Sequence, residues 1–297
     1  MHEFSGPMLP WPALAEYGRE MTLPNNNIKV FLYDSAPSEK PPLLMLHGLG
    51  DDADTWRHVF VPLAEKYRVF APDLPGFGRS DKPRIIYSLK FLCGILVELM
   101  DALSLGKVTL IGNSLGAILA EVLAIKHPDR VANLILLDGT LSAPVFSYHY
   151  SFLLMALPWL GKRLYGKMRG KPQAAYDSLR LFFAHLENLP AADRQFLYHR
   201  VNQRIWDDGQ RDAFMSVLHQ LVWCEPLRKH HYASCLVRLR IPTQIIWGEQ
   251  DAVLPVECAS ALLASRPACQ LTVLPGIGHI PQQEGHAALL CALGIQL

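Results

Sequence analysis

Residues 109–124 read TLIGNSLGAILAEVLA, and the stretch changes character at its centre. It opens as a short apolar run with the composition of a buried strand and passes through Gly112-Asn113-Ser114-Leu115-Gly116. It then continues with helix-like apolar spacing to His127-Pro128. Strand, Gly-x-Ser-x-Gly and helix in succession make the nucleophile-elbow pattern, in which glycines permit a tight, strained turn and the serine hydroxyl projects above a sheet. A serine at a crowded turn can also be purely structural. A reactive hydroxyl requires that the rest of the chain supply a base, a carboxylate and an anion site.

Working outward, the same strand-like text recurs at 28–33, 42–48, 67–73, 133–139, 243–249 and 270–276. These runs are rich in Val, Ile and Leu without strict alternation, as expected of strands buried on both faces of a parallel sheet. Helix-length segments lie between them, at Thr55–Lys66, Tyr87–Leu103, Leu115–Lys126 and Pro255–Ser265. The alternation predicts an α/β fold with a mostly parallel central sheet flanked by helices, and with an antiparallel edge near Arg19–Tyr33. The rhythm breaks between 140 and 236, where no strand is evident and the text is helical and aromatic-rich. This predicts a core of residues 1–139 and 237–297, and an all-helical insertion, 140–236, covering the sheet edge where α/β folds bind ligands.

Composition narrows the possible functions. Half of the 297 residues are hydrophobic, enough for a sizeable core, and the formal charge of +1 gives no field that would recruit nucleic acid. Cysteines 93, 224, 235, 258, 269 and 291 follow no CxxC or metal-ligand spacing, so they read as buried thiols in a reducing compartment, with no metal site. The start MHEFSGPMLPWPALAEYGRE lacks a basic run followed by an apolar one, so no secretory signal is expected and the cytoplasm is the predicted location. Its prolines and Trp11 suggest an irregular arm lying on the body. From Gly139 to Gly161 there is no Asp, Glu, Lys or Arg, and Lys162, Arg163, Lys167, Arg169 and Lys171 follow. Pro144, Pro158, the serines and His149 make this a poor spanning helix. It reads first as an apolar lid, with peripheral membrane contact as the alternative.

The remaining catalytic parts occur in the chain order Ser, acid, His expected of this arrangement. IIWGEQDAVLP places Asp251 in the loop after a strand, and LPGIGHIPQQE places His279 in a glycine-rich loop after the last strand. Asp138 in LILLDGT is a rival acid, since it also follows a strand; alternatively it caps the turn into the insertion. The N–H of Leu115, at the helix start, points toward any oxyanion formed above Ser114. In HGLGDDADTW (47–56) the glycines let the backbone approach closely, making the Leu49 N–H the second candidate donor. His47 reads as a loop-fixing imidazole, and Trp56 as packing for the loop that carries Leu49. Asn113, Phe77 and Ile280 are candidates for the substrate pocket wall, and Glu284 for support of the final helix's first turn.

HGLGDDADTW, APDLPGFGRSDKP (71–83), GNSLGA (112–117), WGEQDAVLP (247–255) and GIGHIPQQE (276–284), taken together and in this order, resemble the α/β-hydrolases of the bacterial esterase, lipase and C–C bond hydrolase group. The resemblance runs from about Ile28 to Ile280. It implies a Ser114, Asp251, His279 triad, an oxyanion hole at Leu49 and Leu115, a helical cap over 140–236 and no cofactor. Haloalkane dehalogenases and epoxide hydrolases place aspartate where this chain has Ser114. The expected substrate is a small-molecule ester with an apolar acyl or alcohol group. The alternative is C–C cleavage of vinylogous 1,5-diketone acids. Ile280 stands where that group usually has tryptophan, and no arginine of the insertion is clearly placed for the substrate carboxylate, with Arg180, Arg194, Arg200 and Arg204 as candidates. A non-catalytic binding module of this fold commonly lacks a triad residue, and here all three are present.

Overall fold

The computed structural model describes residues 3–143, 149–266 and 268–295. Eight strands form one sheet: β1 (Gly18–Thr22), β2 (Lys29–Asp34), β3 (Pro42–Leu46), β4 (Arg68–Pro72), β5 (Val108–Asn113), β6 (Val131–Leu137), β7 (Thr243–Gly248) and β8 (Gln270–Leu274). Their spatial order is β1-β2-β4-β3-β5-β6-β7-β8. β1 and β2, and β2 and β4, pair antiparallel, while every pair from β4 across to β8 is parallel. The fold class and the antiparallel edge therefore match the expectation from sequence.

The apolar runs lack alternation because both faces are covered. On one face Leu44, Leu46, Leu110, Leu136 and Trp247 pack against α2 (Leu89–Ala102) and α3 (Leu115–Lys126). On the other, Leu43, Met45, Ile111, Leu137 and Ile246 pack against α1 (Phe60–Ala64) and the C-terminal helix His286–Ala292. Every residue of β5 is buried. The turn from β5 into α3 is tight enough to demand its glycines: a Cβ on Gly116 would lie 2.0 Å from the Leu46 carbonyl oxygen.

One predicted helix is broken. Between 55 and 66 the chain forms a 3-10 turn, Ala53–Trp56, closed by the Asp52 carboxylate accepting from Asp54 N at 3.0 Å, followed by the short α1. Trp56 is fully buried in that corner, and Pro62 lacks the N–H needed to extend the helical ladder.

Between β6 and β7 the described residues contain helices and no strand: α4 (Tyr150–Met155), α5 (Pro158–Gly166), α6 (Pro172–Asp177), α7 (Ala191–Trp206), α8 (Asp208–His219) and α9 (Lys229–Arg238). Beyond β7 come α10 (Glu257–Ser265), α11 (Pro281–Glu284) and α12 (His286–Ala292). Among the described residues no helix is long and apolar enough to cross a membrane. Part of the uncharged stretch, 144–148, lies outside them. All six cysteines are free, as expected, but they are not uniformly buried: Cys93 and Cys258 are buried, whereas Cys291 is exposed because it lies on the outer side of α12. The N-terminal arm lies against α7, with the Trp11 ring edge-on to Phe196 at 5.2 Å and Trp11 N donating to Asp54 Oδ1 at 2.7 Å.

Candidate active site

Ser114 sits at the junction of β5 and α3 with φ of +55°, a left-handed conformation that costs energy for a side chain other than glycine. The strain is held by its surroundings. Ser114 N donates to the Leu137 carbonyl at 2.9 Å, and Gly139 presses so closely that a Cβ there would lie 2.4 Å from the Ser114 carbonyl oxygen.

His279 and Asp251 meet at the same sheet edge. Asp251 follows β7, and its Oδ1 accepts from Val253 N at 2.8 Å and Leu254 N at 2.9 Å. This fixes its carboxylate, whose Oδ2 lies 2.7 Å from His279 Nδ1. A proton on Nδ1 makes that bond and leaves Nε2 as the basic nitrogen. Both residues are buried. Among the described residues no hydrogen bond joins the Ser114 hydroxyl to the imidazole, and such contacts are often long before substrate binds.

Asp138 does not cap the turn into the insertion. Its Oδ1 accepts from Gly248 N, across the sheet at 2.7 Å, because its carboxyl group is directed to the end of β7. It is fully buried and lies beside Asp251 and His279, with one ligand atom of each residue within 4.8 Å of the others. Burial and then the neighbouring Asp251 charge raise its pKa well above the ordinary carboxylate range.

The loop 47–50 runs alongside the elbow: a Cβ on Gly48 would lie 3.5 Å from Ser114 Cβ. His47 fastens this loop. Its Nδ1 is 2.8 Å from the Gly48 carbonyl, and its Nε2 accepts from Leu74 N at 2.9 Å. Leu115 is the first residue of α3, where helix N–H groups have no intrahelical acceptor, and the N–H of Leu49 donates to no described protein group. Leu115 thus follows Ser114 directly, and Leu49 follows Gly48 in the loop beside it.

The three candidate wall residues are packed or bonded. The Asn113 amide donates to the His279 carbonyl at 2.9 Å and accepts from Gln282 at 3.2 Å, so it clamps the histidine loop instead of facing open space. Phe77 is fully buried, edge-on to His47 at 5.8 Å. Ile280 is buried against Phe183, Leu186 and Leu197 of the insertion. Beside the imidazole is an aromatic that the sequence did not single out for the site: the Phe182 ring is 6.1 Å from that of His279, and the Phe182 carbonyl accepts from His279 N at 2.9 Å.

Glu284 does more than support its own helix. Its Oε2 accepts from Gly278 N at 2.8 Å and Ala184 N at 3.0 Å, and its Oε1 accepts from His185 N. One carboxylate therefore ties the histidine loop to the insertion. Arg180, Arg194, Arg200 and Arg204 of the insertion are all engaged. Arg200 bonds Asp52 at 3.2 Å and Asp54 at 2.9 Å in a buried site, and Arg204 bonds Asp52 at 2.8 Å. Arg180 pairs with Glu187 at 2.9 Å, and Arg194 donates to the Glu187 carbonyl at 3.0 Å. Burial alone would raise the pKa of Asp52, but the Arg200 and Arg204 guanidinium groups hold it well below the usual range. Gln283 was also missed; it accepts from Arg57 at 3.0 Å and donates to Thr55 at 2.7 Å, binding the last helices to the 51–56 loop.

Residues 41–286 match the model of the alpha/beta hydrolase fold family. An uncharacterised protein of Mycobacterium tuberculosis is 30% identical over 266 residues, covering 84% of this chain and 73% of the relative. A 2-hydroxy-6-oxo-6-phenylhexa-2,4-dienoate hydrolase of Burkholderia cepacia is 28% identical over 274 residues, 87% of each chain. Among solved structures, a thermophilic esterase from Thermogutta terrifontis superposes with a TM-score of 0.74 at 23% identity, covering 93% of this chain and 96% of the esterase. The match over residues 41–286, from β3 to the start of α12, places the protein: it belongs to the alpha/beta hydrolase fold family.

Proposed function

We propose that the protein is a serine hydrolase that cleaves carboxylic esters through an acyl-enzyme. The observation that carries this reading is the 2.7 Å bond from Asp251 to His279 at the sheet edge that also presents the strained Ser114. His279 Nε2 takes the Ser114 proton as the hydroxyl oxygen attacks the ester carbonyl, and Asp251 holds the tautomer and stabilises the imidazolium. The N–H groups of Leu49 and Leu115 receive the oxyanion. His279 then protonates the leaving alcohol, and a water deprotonated by His279 hydrolyses the acyl-enzyme to release the acid. Every step uses the chain's own residues and water. Phe182, beside the imidazole, favours an apolar acyl or alcohol group.

A second reading, C–C cleavage of a vinylogous 1,5-diketone acid, draws on the dienoate hydrolase relative. Such a substrate carries a carboxylate that needs a cation, and Arg180, Arg194, Arg200 and Arg204 are already engaged. This favours the ester. The test is initial rates of wild type and Ser114→Ala on p-nitrophenyl esters of increasing acyl length. Hydrolysis that varies with length and falls by several orders of magnitude in the variant supports the reading. No hydrolysis at any length, with turnover of a diketone acid, moves the assignment to C–C cleavage. No turnover of either leaves the fold as a binding module.

The cap supports a proposal about partners. Tyr150 and Leu154 are exposed one turn apart on α4, Leu157 follows them, and Trp159 on α5 is 72% exposed. Arg163 and Lys167 are exposed at successive four-residue steps from Trp159. An apolar ridge edged with cations suits shallow contact with an anionic lipid surface. The six free thiols support a reducing, cytoplasmic setting.

A further inference from the structure

Two buried carboxyl groups face one imidazole. Asp251 and Asp138 follow the adjacent parallel strands β7 and β6, which brings them side by side beneath His279. Their hydrogen bonds are unequal. Asp251 accepts three: from Val253 N, Leu254 N and His279 Nδ1. Asp138 accepts one, from Gly248 N, and among the described residues its buried Oδ2 has no donor at all.

Two carboxylates this close at buried positions cannot both ionise, and the proton settles on the one with fewer donors. The orphaned oxygen is then no defect: as a hydroxyl it is itself the donor, and Asp251 is the neighbouring acceptor. We propose that Asp138 is a protonated carboxylic acid hydrogen-bonded to Asp251, and that it takes over as the carboxylate partner of His279 when Asp251 is removed. The proposal rests on the triad reading of Ser114, Asp251 and His279. In the intact protein Asp138 is a positioning residue, holding the Asp251 carboxylate toward the imidazole. Burial and the Asp251 charge both favour the acid form of Asp138. If Asp251 is absent, no like charge opposes ionisation of Asp138, and a positively charged His279 favours it.

The experiment compares wild type, Asp138→Asn, Asp251→Ala and the double variant, each checked for folding by circular dichroism. The readout is the rate at which a fluorophosphonate labels Ser114, which requires no knowledge of the natural substrate. An asparagine at 138 keeps a donor for Asp251 and an acceptor for Gly248 N, so the single Asp138→Asn change lowers the rate only severalfold. Asp251→Ala lowers it about 100-fold, and adding Asp138→Asn in that background lowers it about 100-fold again, reaching the loss typical of a triad without its acid. A purely structural Asp138 would give the same factor in both backgrounds. Equal rates for Asp251→Ala and the double variant overturn the reserve role while leaving the hydrolase reading intact. If wild type is not labelled, the hydrolase reading falls instead, and the infrared difference between wild type and Asp138→Asn decides the proton. A protonated-carboxyl band at neutral pH that vanishes in the variant supports the acid form of Asp138; absence of the band overturns it.

Discussion

Glutamine in place of Glu121 should make the protein more stable in mild alkali relative to wild type, and the size of the change follows from where the side chain lies. Glu121 is on α3, fully buried, and its oxygens accept from Leu141 N at 2.6 Å and from the Thr140 hydroxyl at 3.0 and 3.1 Å. It therefore ties α3 to the start of the insertion. Burial raises its pKa from the ordinary 4.5 to about 7, against the opposing effect of those hydrogen bonds. The folded state thus binds this proton more tightly than the unfolded chain. The stability it contributes is fully present below about pH 4.5 and is lost as pH rises through about 7. At about 1.4 kcal/mol per pH unit, the loss between about pH 5 and pH 8 is on the order of 2–3 kcal/mol. The Glu121→Gln side chain would keep an acceptor for Leu141 N and add a donor for the Thr140 oxygen, with nothing to titrate. Urea unfolding of both proteins across that range measures the difference. Curves that stay parallel within about 0.5 kcal/mol would refute the placement of this titration on Glu121.

Further outcomes follow from other features. Arg200→Ala removes one guanidinium from each of the buried Asp52 and Asp54, which keep Arg204 and Arg79 respectively, and should cost about 2–3 kcal/mol in urea unfolding; a cost under about 1 kcal/mol would show that the ion pairs are not desolvated. Gly139→Ala drives a methyl group against the Ser114 carbonyl and should slow fluorophosphonate labelling by more than about tenfold while the far-ultraviolet circular dichroism is retained; an unchanged rate would mean the elbow tolerates displacement. Trp159→Ala combined with Arg163→Glu should abolish co-sedimentation with phosphatidylserine vesicles and leave hydrolysis of a soluble ester unchanged. Wild type remaining in the supernatant at low salt would remove the lipid-surface proposal.

What the sequence discloses and what it hides divide along physical lines. Sheet strands and the elbow are legible because they are local: β5 and α3 are written in contiguous residues, and the glycines at 112 and 116 are dictated by a turn only a few residues long. Asp251 and Asp138 each read as strand-end acids, but their adjacency depends on β6 and β7 being neighbours, a fact of topology that no spacing along the chain encodes. Glu284 was visible in GHIPQQE, yet two of its three backbone donors, Ala184 and His185, lie in the insertion. The charge of Arg200 was equally visible, but only packing shows that it faces Asp52 and Asp54 and not a substrate. The break before α1 was hidden for the same reason, since Asp52 and Trp56 are drawn into the buried corner by partners distant in sequence.

The Arg200 cluster also has a mechanical meaning. One side chain gathers the Leu9 carbonyl of the N-terminal arm, the 52–54 loop, and α7 of the insertion. Lifting α7 would strand several charges at once, so this side of the insertion behaves as a rivet and not as a door. A chimera that imports a foreign insertion needs to retain residues 191–206 as its mounting plate. Trimming the N-terminal arm through Trp11 would loosen the same rivet from outside, by removing the Leu9 carbonyl and the Trp11 N–H.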